Sequence, residues 1–539
     1  RHGAASARSP PRNAAYVQPW FSVSLLAPHQ GQQDSKSERS HSPGTGHEHV
    51  WHEPNYRWLN PFSKSGVFLR EIATRLLDGL EAWEPDFLAR REHIFRNMLY
   101  GAAITEMTGI ISRRSVYCTA DASSAYSVVR FDDPDGNIPY VPSTHDFNAD
   151  GRCRLCNGPR DLERGDMREN YAYSFIHGTY PTEELADMKF DVIVGNPPYQ
   201  IDSDGNTRTM PVYQKFVERA IEMDPRYVLM ITPSRWFTGG LGLDEFRARM
   251  IADRHLSNLV DNPKLFDCFP GVEIKGGVSY FLWDRDHDGD CEFSTRVNGK
   301  IISTMTRDLR AGDGVLMRDN LAASIVEKVR ARSLPTVEAR FAPQVPFGFR
   351  TNYGGASDEP FSGGIPLVYG NKVGYVRPDQ LERLHDWVDR WKVLIPKAGD
   401  GHGREISYVL GEPIALAPGS ACTQTYLIAA SFDSEEETRN YANYMATKLY
   451  RFLVLQRKVT QDLTSDRFRF VPMLDMTRPW TDGQLYDYFN LTDDERRYVE
   501  SSIAPRGVNW SLDSPIPASH LPGGSKYKPG KSADADDED

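Results

Sequence analysis

Cysteine is scarce in this chain. Six residues in 539 (Cys118, Cys153, Cys156, Cys268, Cys291 and Cys422) cannot staple so long a polypeptide, so a disulfide scaffold is excluded and a reduced, cytoplasmic setting is expected. Long apolar runs are also missing. No stretch reaches membrane-spanning length and no convincing signal peptide is present, so no membrane partner is expected. Basic charge is not in excess either. Sixty-three Lys and Arg stand against 74 Asp and Glu, a net charge of −11, which excludes a uniformly basic coat. Any surface for nucleic acid must therefore be a patch. The rest is ordinary for a globular protein, and 539 residues imply two domains or more.

Residues 1–50 carry Ser, Pro, Gly, His and Gln without periodicity, and are expected to be a disordered or atypical N-terminal segment. The first residue is Arg1, not Met, which suggests a fragment. Order is expected from Trp51. A short strand over residues 56–59 and a loop over 60–66 precede Phe68, Leu69, Ile72, Leu76, Leu77 and Leu80 at helical spacing. Strand, small-residue loop and helix make the geometry of a nucleotide-type cofactor site, because the loop backbone approaches a ligand closely and the helix start offers free N–H groups. A merely structural helix-entry loop is the alternative.

A second strand-to-loop junction carries more chemistry. The apolar run Phe190, Asp191, Val192, Ile193, Val194 ends in Gly195 and enters Asn196-Pro197-Pro198-Tyr199. An exocyclic amino nitrogen is a poor nucleophile because its lone pair is delocalised into the ring. Acceptors for both amino hydrogens restore the lone pair. The Asn196 side-chain oxygen and the Pro197 carbonyl are two acceptors on a stiff backbone. Tyr199 offers a flat face for an extruded base. A rigid loop without chemistry is the alternative.

This tetrapeptide is the signature of amino-group methyltransferases, and the chain resembles the gamma group of N6-adenine DNA methyltransferases of restriction-modification systems. The resemblance covers roughly residues 55–505. It implies an α/β fold: a Rossmann-like class I domain that uses S-adenosyl-L-methionine, followed by an α+β target-recognition domain. Residues 60–69 (NPFSKSGVFL) are similar to the family's cofactor loop, which implies cofactor binding by Asn60, Pro61, Ser63, Ser65, Gly66 and Phe68. Two departures stand out. Asn60 replaces an acid, and Lys64 replaces a glycine, although its positive charge suits a methionine carboxylate. The second cofactor element falls on residues 95–106, where Gly101 fits, the acid's position holds Ala103, and Glu106 is the substitute. A third element should precede Phe190. Phe175, Ile176 and His177 stand there without an assigned role. The short Thr-Pro element of the family is not visible in residues 1–50.

Further along, Tyr213, Phe216, Val217, Ala220 and Ile221 form one helix face. A strand over 226–233 leads into Ser234-Arg235-Trp236-Phe237. Residues 269–282 look like the loop and strand that help hold the target base, with a plain Gly-Gly hairpin as the alternative. The insert at about 118–175 holds Cys153 and Cys156. With Cys118 and His145 they would form a structural zinc site, weighed against two free thiols. In residues 448–458, four cations (Lys448, Arg451, Arg457, Lys458) interleave with aromatics, as in a phosphate-tracking helix extended by Arg467 and Arg469, or else in a solvated basic face.

The expected organisation is a catalytic domain over 51–330, a boundary at 331–335, a target-recognition domain over 335–480, helices with capping boxes over 481–504, and a disordered acidic tail over 505–539. The expected partners are double-stranded DNA with a flipped adenine and a separate restriction endonuclease or helicase subunit. A catalytically impaired DNA-binding subunit, or a methyltransferase acting on RNA or on a protein glutamine, stays open.

Overall fold

The computed structural model describes residues 48–160, 172–201, 210–264, 268, 269, 274, 276–370, 372–399, 407–458 and 462–506. The expectations for residues 1–47, for 161–171 of the insert and for the tail from 507 lie outside the described residues. Contacts divide the chain into two units, Arg1–Arg318 and Asp319–Asp539.

The first unit is built on one eight-stranded sheet. Its strands are β1 (Trp58–Ser63), β2 (Leu99–Ala103), β3 (Val192–Gly195), β4 (Tyr227–Pro233), β5 (Leu256–Asn262), β6 (Val278–Asp284), β7 (Cys291–Val297) and β8 (Lys300–Arg307). The order across the sheet is β8-β7-β5-β6-β4-β3-β1-β2. β2, β1, β3 and β4 are mutually parallel, and β6 runs antiparallel to β4. The chain therefore winds from β1 outward to β2, then returns to β1's other side with β3. Ligands in such sheets collect at this reversal point, outside the carboxyl ends of the strands.

The β-branched run of β3 explains its central place. Val192 and Val194 face one core with Trp58, Leu69, Ile72 and Leu229. Ile193 faces the other core with Leu59, Phe216, Val228 and Phe281. A strand buried on both faces needs apolar residues at every position, not at alternate ones. The crossing helices are α1 (Val67–Gly79), α2 (Glu106–Tyr117), the single turn α3 (Ser174–His177) and α4 (Tyr213–Glu222).

Two local expectations change. The first strand is not residues 56–59 but Trp58–Ser63, so Asn60, Pro61, Phe62 and Ser63 are strand and the loop shrinks to residues 64–66. Pro61 lacks the N–H a central strand must donate. It is tolerated because the register against β2 shifts between Asn60 and Ser63. Beyond β2, the sheet edge is filled by residues 137–140, where Gly101 N–H donates to the Asn137 carbonyl (2.8 Å) and Ala103 N–H to that of Pro139 (2.9 Å).

In the second unit, α5 (Asn320–Arg330) starts on Asp319, whose carboxylate accepts the Ala322 N–H at 3.0 Å. Its strands are β9 (Ile365–Tyr369), β10 (Lys372–Val376), β11 (Trp391–Pro396), β12 (Ile414–Leu416), β13 (Ala421–Cys422) and β14 (Tyr426–Phe432), in two sheets ordered β10-β9-β13 and β12-β11-β14. Between β13 and β14, residues 423–425 form a turn. The helices α6 (Glu435–Ala446), α7 (Lys448–Leu455), α8 (Asp482–Tyr488) and α9 (Asp493–Ser502) follow. Capping boxes open α8 at Thr481 and α9 at Thr492.

The boundary expected at 331–335 moves to Arg318 and Asp319. The polar face of α5 explains the move. Ser324 Oγ and Lys328 Nζ each donate to Glu495 of α9 at 2.6 Å, so α5 belongs with the second unit. Among the described residues, no helix is long and apolar enough to cross a membrane.

Candidate active site

The loop after β1 and the turn after β3 emerge side by side at the sheet's reversal point. Gly66 ends the first loop with φ of +70°, and a Cβ there would lie 2.8 Å from the Ser112 carbonyl oxygen, so the position admits only glycine without strain. Because the residue before Val67 is a glycine, no side chain caps α1, and its first N–H groups stay available to a ligand. A small, partly open pocket lies there. Asn60, Phe62 and residues 64–68 line it on one side, and Asn196 on the other.

Gly195 makes this closeness possible. A Cβ on it would fall 2.5 Å from Phe62 Cε2 and 2.9 Å from Asn60 Oδ1. Asn60 in turn accepts the Phe62 N–H at 3.3 Å, which shapes the strand end. Asn196 Oδ1 is enclosed and has no hydrogen-bond partner. Tyr199 meets Tyr213 and Phe269 edge to face, each at 6.5 Å between ring centroids. Its hydroxyl is enclosed without a hydrogen-bond partner of good geometry. Burial, aided by Cys268, holds it well above the usual phenol pKa, and the neighbouring Asn196 side chain acts the other way. Pro197 and Pro198 are buried beneath the turn.

Several expected cofactor residues serve the scaffold instead. Ser63 Oγ pairs with Ser112 Oγ at 2.8 Å, fastening the loop to α2 and turning away from the pocket. Gly101 sits inside β2, where a Cβ would lie 2.9 Å from Leu69 Cδ1, so its smallness answers to packing. Glu106 is exposed on the first turn of α2 and does not line the pocket. Pro61 is buried at the strand bulge, whereas Ser65, exposed on the loop, and Phe68, half-buried, do line the pocket. From the 269–282 loop, Phe269 reaches Tyr199. Gly276 and Gly277 both take positive φ as a hairpin requires, while Pro270 to Glu273 and Lys275 lie outside the described residues.

One network went unnoticed in the sequence. Asp261, fully buried on β5, accepts two bonds from Arg318 and one from Ser234 Oγ, all at 2.7 Å. It fixes the start of the Ser234–Phe237 turn after β4. A single Asp in a strand of mixed polarity gives no periodic signal.

In the insert, Cys118 is exposed at the end of α2 and stands apart from the other candidates. His145, Cys153 and Cys156 do come together, and the fourth member is His177. His177 was noted in the sequence but unassigned, since nothing in its spacing ties it to the cysteines. Burial lowers the His145 pKa to about 4, helped by His177, and lowers that of His177 as well.

The basic helix is a correction. Five of the eight residues of α7 are apolar or aromatic and buried (Leu449, Tyr450, Phe452, Leu453, Val454), and they draw the cations inward with them. Arg451 is 1% exposed and donates from Nε to the Ala446 and Thr447 carbonyls and from Nη1 to that of Ala504. Arg457 bonds the Asp466 carbonyl at 3.1 Å and lies over the Phe470 ring, and Lys458 is buried. Lys448 pairs with Glu500. Nor do Arg467 and Arg469 extend a phosphate track: they pair with Asp466 and Glu338.

The parallel half of the sheet carries a glycine-ended loop after one central strand and an Asn-Pro-Pro-Tyr turn after its neighbour, a Rossmann-like arrangement. Residues 97–269 match the Eco57I restriction-modification methylase family. An uncharacterized adenine-specific methylase of Mycoplasma pneumoniae is 34% identical over 283 residues, covering 47% of this chain and 66% of the relative. The chain thus spans about 66% of the curated relative's length. Among solved structures, the type IIG restriction endonuclease BpuSI overlaps 84% of this chain and 59% of its own, at 12% identity and a TM-score of 0.33. A nuclease-deletion mutant of the type ISP restriction-modification enzyme LlaGI, in complex with a DNA substrate mimic, overlaps 83% and 44%, at 11% identity and a TM-score of 0.38.

Proposed function

We propose that the chain methylates the exocyclic amino group of adenine in double-stranded DNA, with S-adenosyl-L-methionine as methyl donor, as the modification activity of a restriction-modification system. The observation that carries this reading is the enclosed, unpartnered Asn196 Oδ1 on the wall of the pocket. A buried acceptor without a donor lacks a partner worth about 1–3 kcal/mol, and an amino hydrogen supplies one. Asn196 Oδ1 and the Pro197 carbonyl then hold the two amino hydrogens and localise the lone pair on nitrogen. The Tyr199 ring stacks on the extruded base. The donor fits the residues present: the pocket adjoins Asn196, and the uncapped start of α1 and the positive charge of Lys64 suit its carboxylate. When bound, it supplies an electrophilic methyl group.

The same proposal includes the partners, duplex DNA with a flipped adenine and a separate restriction endonuclease or helicase subunit. Phosphate contacts from the second unit fall to exposed cations such as Arg350, Lys372 and Arg383, because those of α7 are turned inward. A second reading, an impaired DNA-binding subunit, draws on the lack of a carboxylate among the residues lining the pocket. Calorimetry with S-adenosylmethionine separates the two. The main test is methyl transfer to duplex DNA, with digestion and identification of the labelled base. Label in N6-methyladenine is the expected result. Label only in RNA or protein, or binding without transfer, overturns the proposal.

A further inference from the structure

Within the insert, residues 146–158 fold into a tight knuckle. Asn148 N–H donates to the Arg152 carbonyl and Arg154 N–H to that of Asp146, so two short arms pair. Cys153 N–H donates to the Gly158 carbonyl, and Asn157, in a left-handed conformation, returns its N–H to the Cys153 carbonyl. The turn brings both thiols to one side, and Gly158 N–H points at Cys156 Sγ at 3.4 Å.

Two imidazoles meet these thiols. His177 Nε2 lies 3.6 Å from Cys153 Sγ, and His145 Nδ1 lies 3.4 Å from Cys156 Sγ. All four ligand atoms fall within 4.8 Å of one another. Zinc–sulfur bonds of ~2.3 Å and zinc–nitrogen bonds of ~2.05 Å at tetrahedral angles set sulfur–nitrogen separations near ~3.6 Å. The other ring nitrogen of His177 is occupied: Nδ1 bonds the Tyr173 carbonyl at 2.9 Å, the outer contact that orients a ligating histidine. The soft, closed donor set with no water position is that of a structural site, not a catalytic one.

We propose that His145, Cys153, Cys156 and His177 hold one zinc ion, and that the ion braces the ligand pocket through α3. The route is short. His177 ends α3, and Phe175 on the same turn is fully buried against Phe62 (6.3 Å, edge to face) and Phe216 (6.4 Å, stacked). Phe62 lines the pocket and abuts Gly195. The zinc site stands whether or not the methylation reading holds, since its donors lie outside that pocket.

The test uses the full chain kept under reducing conditions. Elemental analysis is expected to find one zinc per chain. Cobalt replacement is expected to give the strong visible bands of a tetrahedral ion and a sulfur-to-metal charge-transfer band. Cys153→Ser and His177→Ala are expected to lose the metal, and Cys118→Ser to keep it. Removing zinc with a chelator is expected to lower the melting temperature. A reduced wild-type chain that holds no zinc and gives no cobalt spectrum overturns the site. So does full zinc occupancy in a Cys153→Ser, Cys156→Ser double variant. Should the variants fail to fold, the cobalt titration of the wild-type chain decides alone.

Discussion

The turn after β3 and the helix α7 both present polar side chains among aromatics, and their environments are opposite. At the turn, Asn196 Oδ1 is enclosed yet has no partner, and its residue lines a pocket. On α7, Arg451 is equally enclosed; its Nη2 too has no partner, but its Nε and Nη1 reach backbone carbonyls of Ala446, Thr447 and Ala504. An acceptor left open beside a cavity can take a hydrogen bond from a molecule that enters it. A cation spent on carbonyls holds its own chain together. Residue type does not tell the two apart; the destination of the hydrogen bonds does.

The contrast breaks first at Asn196. Asn196→Ala is expected to lower methyl transfer by ~10²–10³-fold, the range seen when one positioned polar group is removed from a reacting centre. S-adenosylmethionine binding by calorimetry should stay near wild type. Methylation within a few-fold of wild type would mean that the open acceptor is only an accident of packing.

Arg451 should fail in the other way. Arg451→Met is expected to lower unfolding stability by on the order of 3 kcal/mol, because it strands several buried carbonyls. A urea midpoint measures this. Unchanged stability would return α7 to the solvated surface.

Tyr199 sharpens the comparison within the turn itself. Its hydroxyl has no hydrogen-bond partner of good geometry, so Tyr199→Phe should be mild. Tyr199→Ala removes a stacking face worth ~1–3 kcal/mol. Equal losses in kcat/KM from both variants would give the role to the hydroxyl.

The smallest expected effects lie on the surface of the second unit. Lys448→Ala removes a partly exposed ion pair with Glu500, worth less than about 1 kcal/mol of stability, and should leave the salt dependence of DNA binding unchanged. Lys372→Ala should flatten the slope of log affinity against log salt by ~1. The reverse pattern would restore α7 as the phosphate contact.

Much of the fold was legible where its signals are local. The apolar run before Asn196, the helical spacing after Gly66 and the capping boxes at Thr481 and Thr492 each lie within a few residues of what they specify. Where the reading failed, partners distant in sequence decided. Asn-Pro reads as a turn, yet β1 continues through Pro61 because its neighbour's register slips there. Gly101 matched a cofactor pattern and answers instead to Leu69. His177 joins the cysteines only after the chain has crossed from α2 back to the sheet. Interleaved cations and aromatics in α7 resembled a nucleic-acid face, but an amphipathic pattern does not say which face looks outward.

The tight passage at Gly195 also constrains how this chain can change. A side chain at that position collides with Phe62 before it meets any ligand, so Gly195→Ala is disfavoured in the present background. Phe62→Leu relieves the clash with the ring, while Asn60 Oδ1 still lies 2.9 Å from the added Cβ. The two positions are therefore epistatic: the order in which substitutions arrive decides which are viable.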